Sequence, residues 1–304
     1  MTAILIRRLA RLVVVMAGVS LVTFSILQVS GDPIALMMPE APEADRAVLR
    51  QSMGFNDPIV TQFGRFISHA VRGDFGTSVR NRVPALRLVV ERVPATLELT
   101  AVALAFAVFV AIPLGMLSAL KHNSGWDLVG MTITFLGQSV PSFWLGILLI
   151  LVLGVNLRWL PISGSGTPLH LIMPAITLGS FFMASLARLT RSSLLEVLGQ
   201  DYVRTARAKG LGEVVVIGLH GLKNAAIPVV TAIGVYVGQL LSGAVITEQI
   251  FAYPGVGRLA IDAISTRDFP VVQANVIFVS VVVVALSLLI DMLYLALDPR
   301  IRYT

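Results

Sequence analysis

Long apolar runs alternate with short polar segments along almost the whole chain. Six runs reach the length of about 20 mainly apolar residues that a helix needs to cross a hydrocarbon core. They cover approximately Leu12–Val29, Ala95–Leu120, Leu128–Val155, Leu169–Leu189, Ala225–Thr247 and Val271–Leu297. Lipid offers no partner to an unpaired backbone group, and these runs are too long and too evenly apolar for barrel strands. The pattern therefore predicts an all-α polytopic membrane protein with six transmembrane helices.

Two longer polar segments interrupt the apolar pattern. Between the first two runs, "DRAVLRQSMG" and "IVTQFGRFISHAVRG" place apolar residues three and four positions apart, which predicts short amphipathic helices. The second polar segment, at about 190–224, separates the fourth and fifth runs. We therefore expect an N-terminal tail and first helix at 1–30, a helical cap at 31–94 and a five-helix core at 95–304.

Composition supports the bilayer as the solvent of this chain. Hydrophobic residues make up 56% of it and charged residues only 13%, which is unlike a soluble domain. The net charge of +6 comes from arginines beside apolar runs, without interleaved aromatic residues, so membrane topology explains it better than nucleic-acid binding. The absence of cysteine excludes disulfides and thiolate chemistry, and the four histidines are too scattered for a local metal site.

The distribution of Lys and Arg predicts the orientation. A cytoplasmic N terminus places most of these residues inside: Arg7, Arg8, Arg11, Lys121, Arg188, Arg191, Arg204, Arg207, Lys209, Lys223, Arg300 and Arg302. The short outer loops then receive only Arg158, Arg258 and Arg267. Six spans leave both termini in the cytoplasm and the cap outside. The first run also resembles a signal peptide, but its length and the lack of a small-x-small cleavage site favour a retained anchor.

Polar residues inside the apolar runs are candidates for a pathway. In the third run, Gln138, Ser139 and Ser142 surround Pro141, which should kink the helix and free backbone carbonyls. Intramembrane polar residues face a cavity or a neighbouring helix, so pathway lining and interhelical hydrogen bonding remain equal alternatives here.

The fifth run carries two further kinds of signal. Gly234, Gly238 and Ser242 recur every four residues and share one face, which favours close packing of another helix. Gln239 and Glu248, toward the outer end, are further pathway candidates, although Glu248 at the interface is also compatible with simple solvation.

Between the fourth and fifth runs lies "DYVRTARAKGLG", Asp201 to Gly212. We expect a short helix at Tyr202–Lys209, ended by Gly210 in a left-handed conformation. Glu213–Leu222 would then lead into the fifth run, with Pro228 in its first turn. By composition alone, a basic loop that obeys the positive-inside rule is the better explanation of this segment.

The order of residues in this segment is more specific. "DYVRTARAKGLGEVVVIGLHGLKNAAIPVV" resembles the EAA loop of membrane subunits of bacterial ABC importers, closest to the dipeptide, oligopeptide and glutathione permeases of the DppB/OppB type. The resemblance extends along nearly the whole chain through "GDP" at Gly31–Pro33, "GDFGTS" at Gly73–Ser78, "PATLEL" at Pro94–Leu99, "FAYPGVGRL" at Phe251–Leu259, "RDFPVVQA" at Arg267–Ala274 and "DPRIRY" at Asp298–Tyr303.

The resemblance implies a role for each part of the loop. Arg204, Thr205 and Ala206 occupy the place of the Glu-Ala-Ala triplet, and Gly210 is its glycine. The implied coupling helix, which would sit in a groove of a cytosolic ATPase, comprises Tyr202, Arg204, Thr205, Ala206, Arg207, Ala208, Lys209 and Gly210. Small residues would permit close approach and basic residues would suit an acidic groove. The segment Val214–Leu219 is more apolar than in many relatives, so its docking contacts stay open.

The resemblance also implies partners. They would be a second homologous permease, two ABC ATPases that carry ATP and Mg²⁺, and an extracytoplasmic solute-binding protein. The chain itself has no G-x-x-x-x-G-K-[ST] phosphate loop and no H-E-x-x-H motif, so we expect a non-catalytic subunit without a cofactor of its own.

The sequence is thus interpreted as the permease subunit of an ATP-driven importer of di- or oligopeptides in the bacterial inner membrane. Importers of glutathione, nickel or another small solute are the alternatives within the family. A stand-alone carrier or channel is the rival class, but the mid-membrane acidic or histidine relays typical of such carriers are not apparent in the sequence.

Overall fold

The computed structural model describes residues 13–25, 42–52, 54 and 56–297. Every regular element within these ranges is a helix, apart from one isolated antiparallel bridge between Thr77 and Pro84. The helices are α1 (Val13–Ser25), α2 (Glu43–Ser52), α3 (Ile59–Val71), α4 (Ala85–Leu120), α5 (Gly125–Ser139), α6 (Ser142–Asn156), α7 (Leu169–Leu198), α8 (Asp201–Ala208), α9 (Glu213–Ile250), α10 (Val256–Ser265) and α11 (Phe269–Leu297). The predicted all-α class is confirmed.

Four of these helices, α4, α7, α9 and α11, are long and apolar enough to cross a membrane. The successive helices α5 and α6 pass the same test together and would make a fifth span. Helix α1 covers only part of the first predicted run, and the rest of that run lies outside the described residues. A polytopic helical membrane protein is therefore confirmed, while the count of six spans stays a prediction.

The third predicted run is broken rather than gently kinked. Helices α5 and α6 meet at an angle of 104° around Val140 and Pro141. Val140 is extended, with φ −80° and ψ 123°, because the ring of the following proline disfavours the helical conformation there. Pro141 then precedes α6, where its missing N–H costs little.

Two predicted helix starts were wrong. Helix α4 begins at Ala85, ahead of the predicted Ala95. Helix α9 begins at Glu213 and continues through a π-helical stretch, Val216–Leu222, so Pro228 lies well inside it rather than in its first turn. The chain leaves the polar segment already helical, and hydrocarbon favours an unbroken helix even at the cost of the donor that proline lacks.

The chain divides into two compact units. The first consists of residues 1–95 with 254–292 and the second of residues 96–253 with 293–304. In the first unit, Phe24 of α1 lies 5.3 Å from Phe63 and 5.9 Å from Phe66 of α3, measured between ring centroids. A buried cluster of small and β-branched residues joins the start of α4 to α10 and α11; it comprises Ala85, Val89, Val256, Ala263, Val271 and Ala274.

A buried aspartate organises the loop that precedes α4 in the first unit. Asp268, only 2% exposed, accepts hydrogen bonds from the Ser78 hydroxyl at 2.5 Å and from the backbone N–H groups of Val79 and Arg80 at 3.2 and 3.4 Å. Ser78 in turn accepts a bond from the backbone N–H of Asn81 at 2.9 Å. One carboxylate therefore pairs backbone donors that secondary structure leaves unpaired.

Helix α7 is the centre of the second unit. Two thirds (67%) of its apolar window is buried, against 33% for α4 and 17% for α9. Small residues let α4 approach it closely: a Cβ on Gly179 would lie 2.6 Å from the carbonyl oxygen of Ala103, and one on Gly115 would lie 2.5 Å from that of Ala187. A larger side chain at either glycine has no room.

We expect Asp268→Ala to lower the free energy of unfolding by about 2 kcal/mol. The buried Ser78 hydroxyl and the two backbone N–H groups that donate to Asp268 would lose their partner. Thermal unfolding in detergent measures the loss, and faster tryptic cleavage after Arg80 and Arg82 would report opening of the loop. Asp262→Ala is the control, since Asp262 is half exposed and 3.8 Å from Arg258. Equal stability of the two variants would contradict this role for Asp268.

Candidate functional site

The polar segment after α7 folds into a compact helical turn, which we call the elbow. It covers residues 200–224, that is α8, the turn after it and the first part of α9. Val203 and Ala206 are three residues apart on α8, share one face, and are 0% and 5% exposed. They pack on Val216 of α9 and on Val197 and Leu198 at the end of α7. Helix α8 is therefore held against its own flanking helices.

The opposite face of α8 is exposed and mostly polar. Arg204, Thr205 and Ala208 lie on it, one turn or less apart, and Lys209 follows directly. The Arg204 guanidinium has only a loose pair with Asp201, at 3.3 Å, and both side chains are largely in solvent. Two alanines were expected to permit close approach of a partner. Ala206 is instead buried inside the elbow, whereas Ala208 is exposed on the outer face.

Gly210 makes the turn that follows α8. Its φ of +78° is in the left-handed region, as the sequence predicts. Its N–H donates to the carbonyl of Arg207 at 2.9 Å. The Arg207 guanidinium then donates two bonds to Glu213 at the start of α9, at 2.7 and 3.3 Å, which spans the turn and limits its motion.

A second set of contacts closes the other side of the elbow. The Asn224 side-chain amide donates to the Tyr202 hydroxyl at 2.9 Å and to the carbonyl of His220 at 3.0 Å. These bonds join the first turn of α8 to α9. Contacts at both ends of α8 therefore attach the elbow to α7 and α9.

The segment Val214–Leu219 is split between the two sides of the elbow. Val216 is buried against α8, whereas Val214 and Leu219 are 86% and 59% exposed. Singly exposed apolar side chains are common on protein surfaces, so this exposure does not by itself mark a docking contact.

The break between α5 and α6 brings together three of the predicted pathway residues. Gln138, Ser139 and Ser142 are all exposed there. The Gln138 side-chain oxygen accepts a hydrogen bond from Arg188 of α7, so this glutamine both lies at the break and contacts a neighbouring helix.

The candidates on α9 are in different environments. Gln239 is exposed, whereas Glu248 is fully buried and accepts a hydrogen bond of 2.6 Å from Thr96 of α4. Glu248 is thus not a solvated interface residue. On the predicted packing face, a Cβ built on Gly238 has no atom of the described residues within 4 Å, Ser242 is exposed, and Gly234 is half-buried.

Sequence reasoning missed an ion pair between α5 and α7. Arg191 donates to both carboxylate oxygens of Asp127 at 2.7 Å, and the two side chains are 22% and 7% exposed. His122 lies 2.9 Å from the same guanidinium, and the backbone N–H of Asn123 donates to Asp127 at 3.0 Å. Asp127 and Arg191 are 64 residues apart in the sequence, so no local motif predicts the pair.

A second missed contact joins α4 to the chain after α9. Tyr253, 2% exposed, donates its hydroxyl to Glu98 at 3.0 Å. Burial, together with this hydrogen bond, raises the pKa of Tyr253, so the hydroxyl stays protonated as a donor. Across the described ranges, no cluster of three or more His, Asp or Glu side chains has the arrangement of a metal site.

Helices long and apolar enough to span a membrane, a polar break between two of them and an elbow attached to its flanking helices are features compatible with a membrane transport subunit. Family comparison makes the class specific. A family model described as "Binding-protein-dependent transport system inner membrane component" matches residues 111–303, and the model of the N-terminal part of such components matches residues 1–100. The chain belongs to this family. It is a non-catalytic permease, a class in which ATP is hydrolysed by separate subunits.

Curated relatives are similar over their full length. The oligopeptide transport system permease protein AppB of Bacillus subtilis is 42% identical, with 100% of both chains covered. The glutathione transport system permease protein GsiC of Salmonella paratyphi A is 41% identical, with 98% of each covered. The dipeptide transport system permease protein DppB of Escherichia coli K12 is 39% identical, with 100% of this chain and 99% of the relative covered.

Solved structures show the same fold at lower identity. The MetNI methionine ABC transporter in inward-facing conformations matches with a TM-score of 0.53 and 20% identity, over 67% of this chain and 95% of the matched chain. An amino acid ABC transporter matches with a TM-score of 0.51 and 18% identity, over 68% and 92%.

We expect Asp127→Ala to lower the free energy of unfolding by about 3 kcal/mol, because it leaves the Arg191 guanidinium without its carboxylate. The double variant Asp127→Ala/Arg191→Met should lose less than the sum of the single variants, since it removes both charges. Thermal unfolding in detergent measures all three. Arg204→Ala, at an exposed pair, should change stability by no more than about 0.5 kcal/mol, and additive losses at Asp127 and Arg191 would refute the coupling.

Proposed function

We propose that this chain forms half of the translocation pathway of an ATP-driven importer of di- or oligopeptides, and that the elbow couples the pathway to a cytosolic ATPase. The observation that supports it most directly is the elbow: a short helix fixed at both ends to α7 and α9, with a cationic face directed outward. Peptide permeases about 40% identical over their full length support the substrate class.

Coupling requires that force on one surface moves the spans as a body. Val203 and Ala206 of α8 are buried against α7 and α9, and the Arg207–Glu213 pair bridges the turn at Gly210. A push on the outer face, at Arg204, Thr205, Ala208 and Lys209, would therefore reach both long helices without being absorbed by a flexible loop. Tyr202 would act from within the elbow, through Asn224. An ATPase whose acidic groove closes on this cationic face would exert such a push.

The orientation follows from this role. The elbow and both termini would lie in the cytoplasm of a bacterial cell and the cap on the outer side of its cytoplasmic membrane, in agreement with the Lys and Arg distribution. Two ABC ATPase subunits would then bind from inside, carrying ATP and Mg²⁺, and a solute-binding protein would deliver the substrate from outside.

A homologous second permease would complete the pathway. The open face of α9, formed by Gly234, Gly238 and Ser242, is where a helix of that subunit can approach, because small residues allow close backbone contact. The pathway itself would be lined by Gln138, Ser139 and Ser142 at the break and by Gln239 on α9. Glu248, a pathway candidate by sequence, is buried against Thr96 of α4 and would act from behind the lining.

The substrate class rests on the relatives. The 41% identity to a glutathione permease favours glutathione as the second candidate, and it too is a short peptide. Nickel or another small solute remains an alternative within the same architecture. A stand-alone carrier or channel is the rival class, and it would need neither an ATPase nor a rigid elbow.

Purification of the chain from its native membrane in mild detergent tests the proposal. Recovery of an ABC ATPase and a second permease in stoichiometric amounts, followed by ATP-dependent peptide uptake into proteoliposomes with the binding protein, is the expected result. Recovery of the chain alone, together with transport that does not require ATP, would contradict the importer and favour a stand-alone carrier.

We expect Gly210→Pro to reduce peptide uptake at least about tenfold while the assembled complex still hydrolyses ATP. Proline holds φ near −65°, which is incompatible with the +78° of Gly210, and it removes the N–H that bonds Arg207. Gly212→Pro is the matched control, because Gly212 has φ −62° and ψ 146°, which proline adopts without strain. Unchanged uptake by Gly210→Pro would refute the coupling role.

We expect Gly238→Leu to insert and unfold like the unchanged chain but to recover at least about tenfold less of the second permease on purification, equivalent to about 1.4 kcal/mol of association free energy. A Cβ at this position has no atom of the described residues within 4 Å, whereas a leucine would clash with an approaching helix. Gly18→Leu, on α1 and equally open, is the control. Full recovery of the second permease with Gly238→Leu would place the subunit contact elsewhere.

A further inference from the structure

Two arginines of α7 contact opposite ends of α5. Arg191 pairs with Asp127 at the start of α5, whereas Arg188 extends toward Gln138 at its end. Helices α5 and α7 run antiparallel, since Asp127 pairs with Arg191 while a Cβ on Gly137 would lie 3.4 Å from the carbonyl oxygen of Ser180. Arg188 is only one turn from Arg191, about 4.5 Å along the axis. Its guanidinium nevertheless contacts Gln138.

This contact lies deep along α5. Gln138 is eleven residues beyond Asp127, which corresponds to about 16 Å along the helix. A long cationic side chain near a membrane boundary normally extends toward water. Arg188 instead extends along α5 toward the break at Pro141, within the third predicted apolar run, where a charge is costly and is retained mainly for function.

No carboxylate of the residues that the structure describes neutralises the positive charge of Arg188. Arg191, one turn away, has both oxygens of Asp127 at 2.7 Å. Within the described residues, by contrast, no carboxylate oxygen lies within the 4.0 Å ion-pair distance of Arg188, whose hydrogen-bond partner is the neutral amide of Gln138. The guanidinium therefore retains donors for a bound anion.

The same guanidinium lines an open cavity of about 360 Å³ between α5 and α7. The other lining residues are Met131, Thr132, Thr134 and Phe135. This volume is within the range of about 300–1,000 Å³ that is usual for small-ligand sites, and mostly apolar walls with a few polar groups are typical of them.

We infer that Arg188 binds the C-terminal carboxylate of a peptide in transit, with Gln138 orienting the guanidinium and the cavity receiving the adjoining residues. The inference rests on the proposed peptide importer. A guanidinium pairs with a carboxylate through two parallel hydrogen bonds, which a lysine ammonium does not reproduce. Because every unmodified peptide has this carboxylate, one arginine serves substrates of different side chains.

The test compares uptake of trialanine with that of trialanine amide, which lacks the terminal charge. Proteoliposomes contain the complete importer, and each peptide is used at a concentration that saturates the isolated binding protein. We expect Arg188→Gln to reduce trialanine uptake at least about tenfold, as for loss of a charged hydrogen-bond pair, and to change amide uptake less than about twofold. Arg188→Lys should be intermediate, and Arg87→Gln, at an exposed pair, should be unchanged.

A second measurement distinguishes loss of the cation at position 188 from misfolding of the variant chain. Because the chain has no cysteine, Arg188→Cys introduces a unique thiol that can be modified after assembly. Aminoethyl methanethiosulfonate restores a cation and should recover trialanine uptake several-fold, whereas the sulfonatoethyl reagent adds an anion and should not. The unmodified chain treated with each reagent controls for cysteines on partner subunits.

The outcomes separate this inference from the importer itself. If the unchanged complex transports trialanine but Arg188→Gln lowers both peptides equally, Arg188 only joins two helices or holds a lipid phosphate, and the carboxylate site is refuted. Failure of the aminoethyl reagent to restore uptake, or equal restoration by the sulfonatoethyl reagent, refutes it as well. If the unchanged complex consumes ATP with its partners but transports no peptide, the peptide assignment fails first and the inference with it.

Discussion

The demand that every peptide group in hydrocarbon be paired within its own helix governs this structure. The long helices α4, α7, α9 and α11 satisfy it by running unbroken, even through Pro228 of α9. Where the chain does break, at Val140 and Pro141, the freed groups stand beside exposed polar side chains. Within the described parts of the apolar runs, this break thus coincides with the polar residues proposed to line a pathway.

Outside the hydrocarbon, the same chain uses different devices to stay ordered. The elbow is too short to be stable as an isolated helix, and it is held by Val203 and Ala206 against Val216 and by Arg207 against Glu213. The loop before α4 is held by the single buried carboxylate of Asp268. In both segments, side chains supply the contacts that regular backbone hydrogen bonding does not.

The charges on α7 show how one helix can serve two purposes. Arg191 is neutralised by Asp127 and joins α5 to α7, so its charge is structural. Arg188, one turn away, is paired with an amide beside an open cavity. The difference between the two arginines lies in their partners and not in their residue type, and it is what makes Arg188 available to an anionic ligand.

Much of this protein could be predicted from the sequence because its signals are local. The apolar runs predicted the spanning helices, Pro141 predicted a distortion of the third run, and Gly210 predicted a left-handed turn after α8. The resemblance to peptide permeases also came from contiguous motifs, and the family comparisons confirm it. The coupling, pathway and packing roles of individual residues are proposals that rest on this likeness and on the geometry.

Only the tertiary structure decided which residues meet. The pairs Asp127–Arg191, Thr96–Glu248 and Arg188–Gln138 join segments 50 to 152 residues apart, and no periodicity along a chain encodes a contact between two helices. The sequence likewise could not tell that Ala206 faces inward while Ala208 faces outward, because that depends on the angle at which α8 packs on α9. Apolar length and proline act within one helix, whereas partner, depth and burial are set by the packing of several.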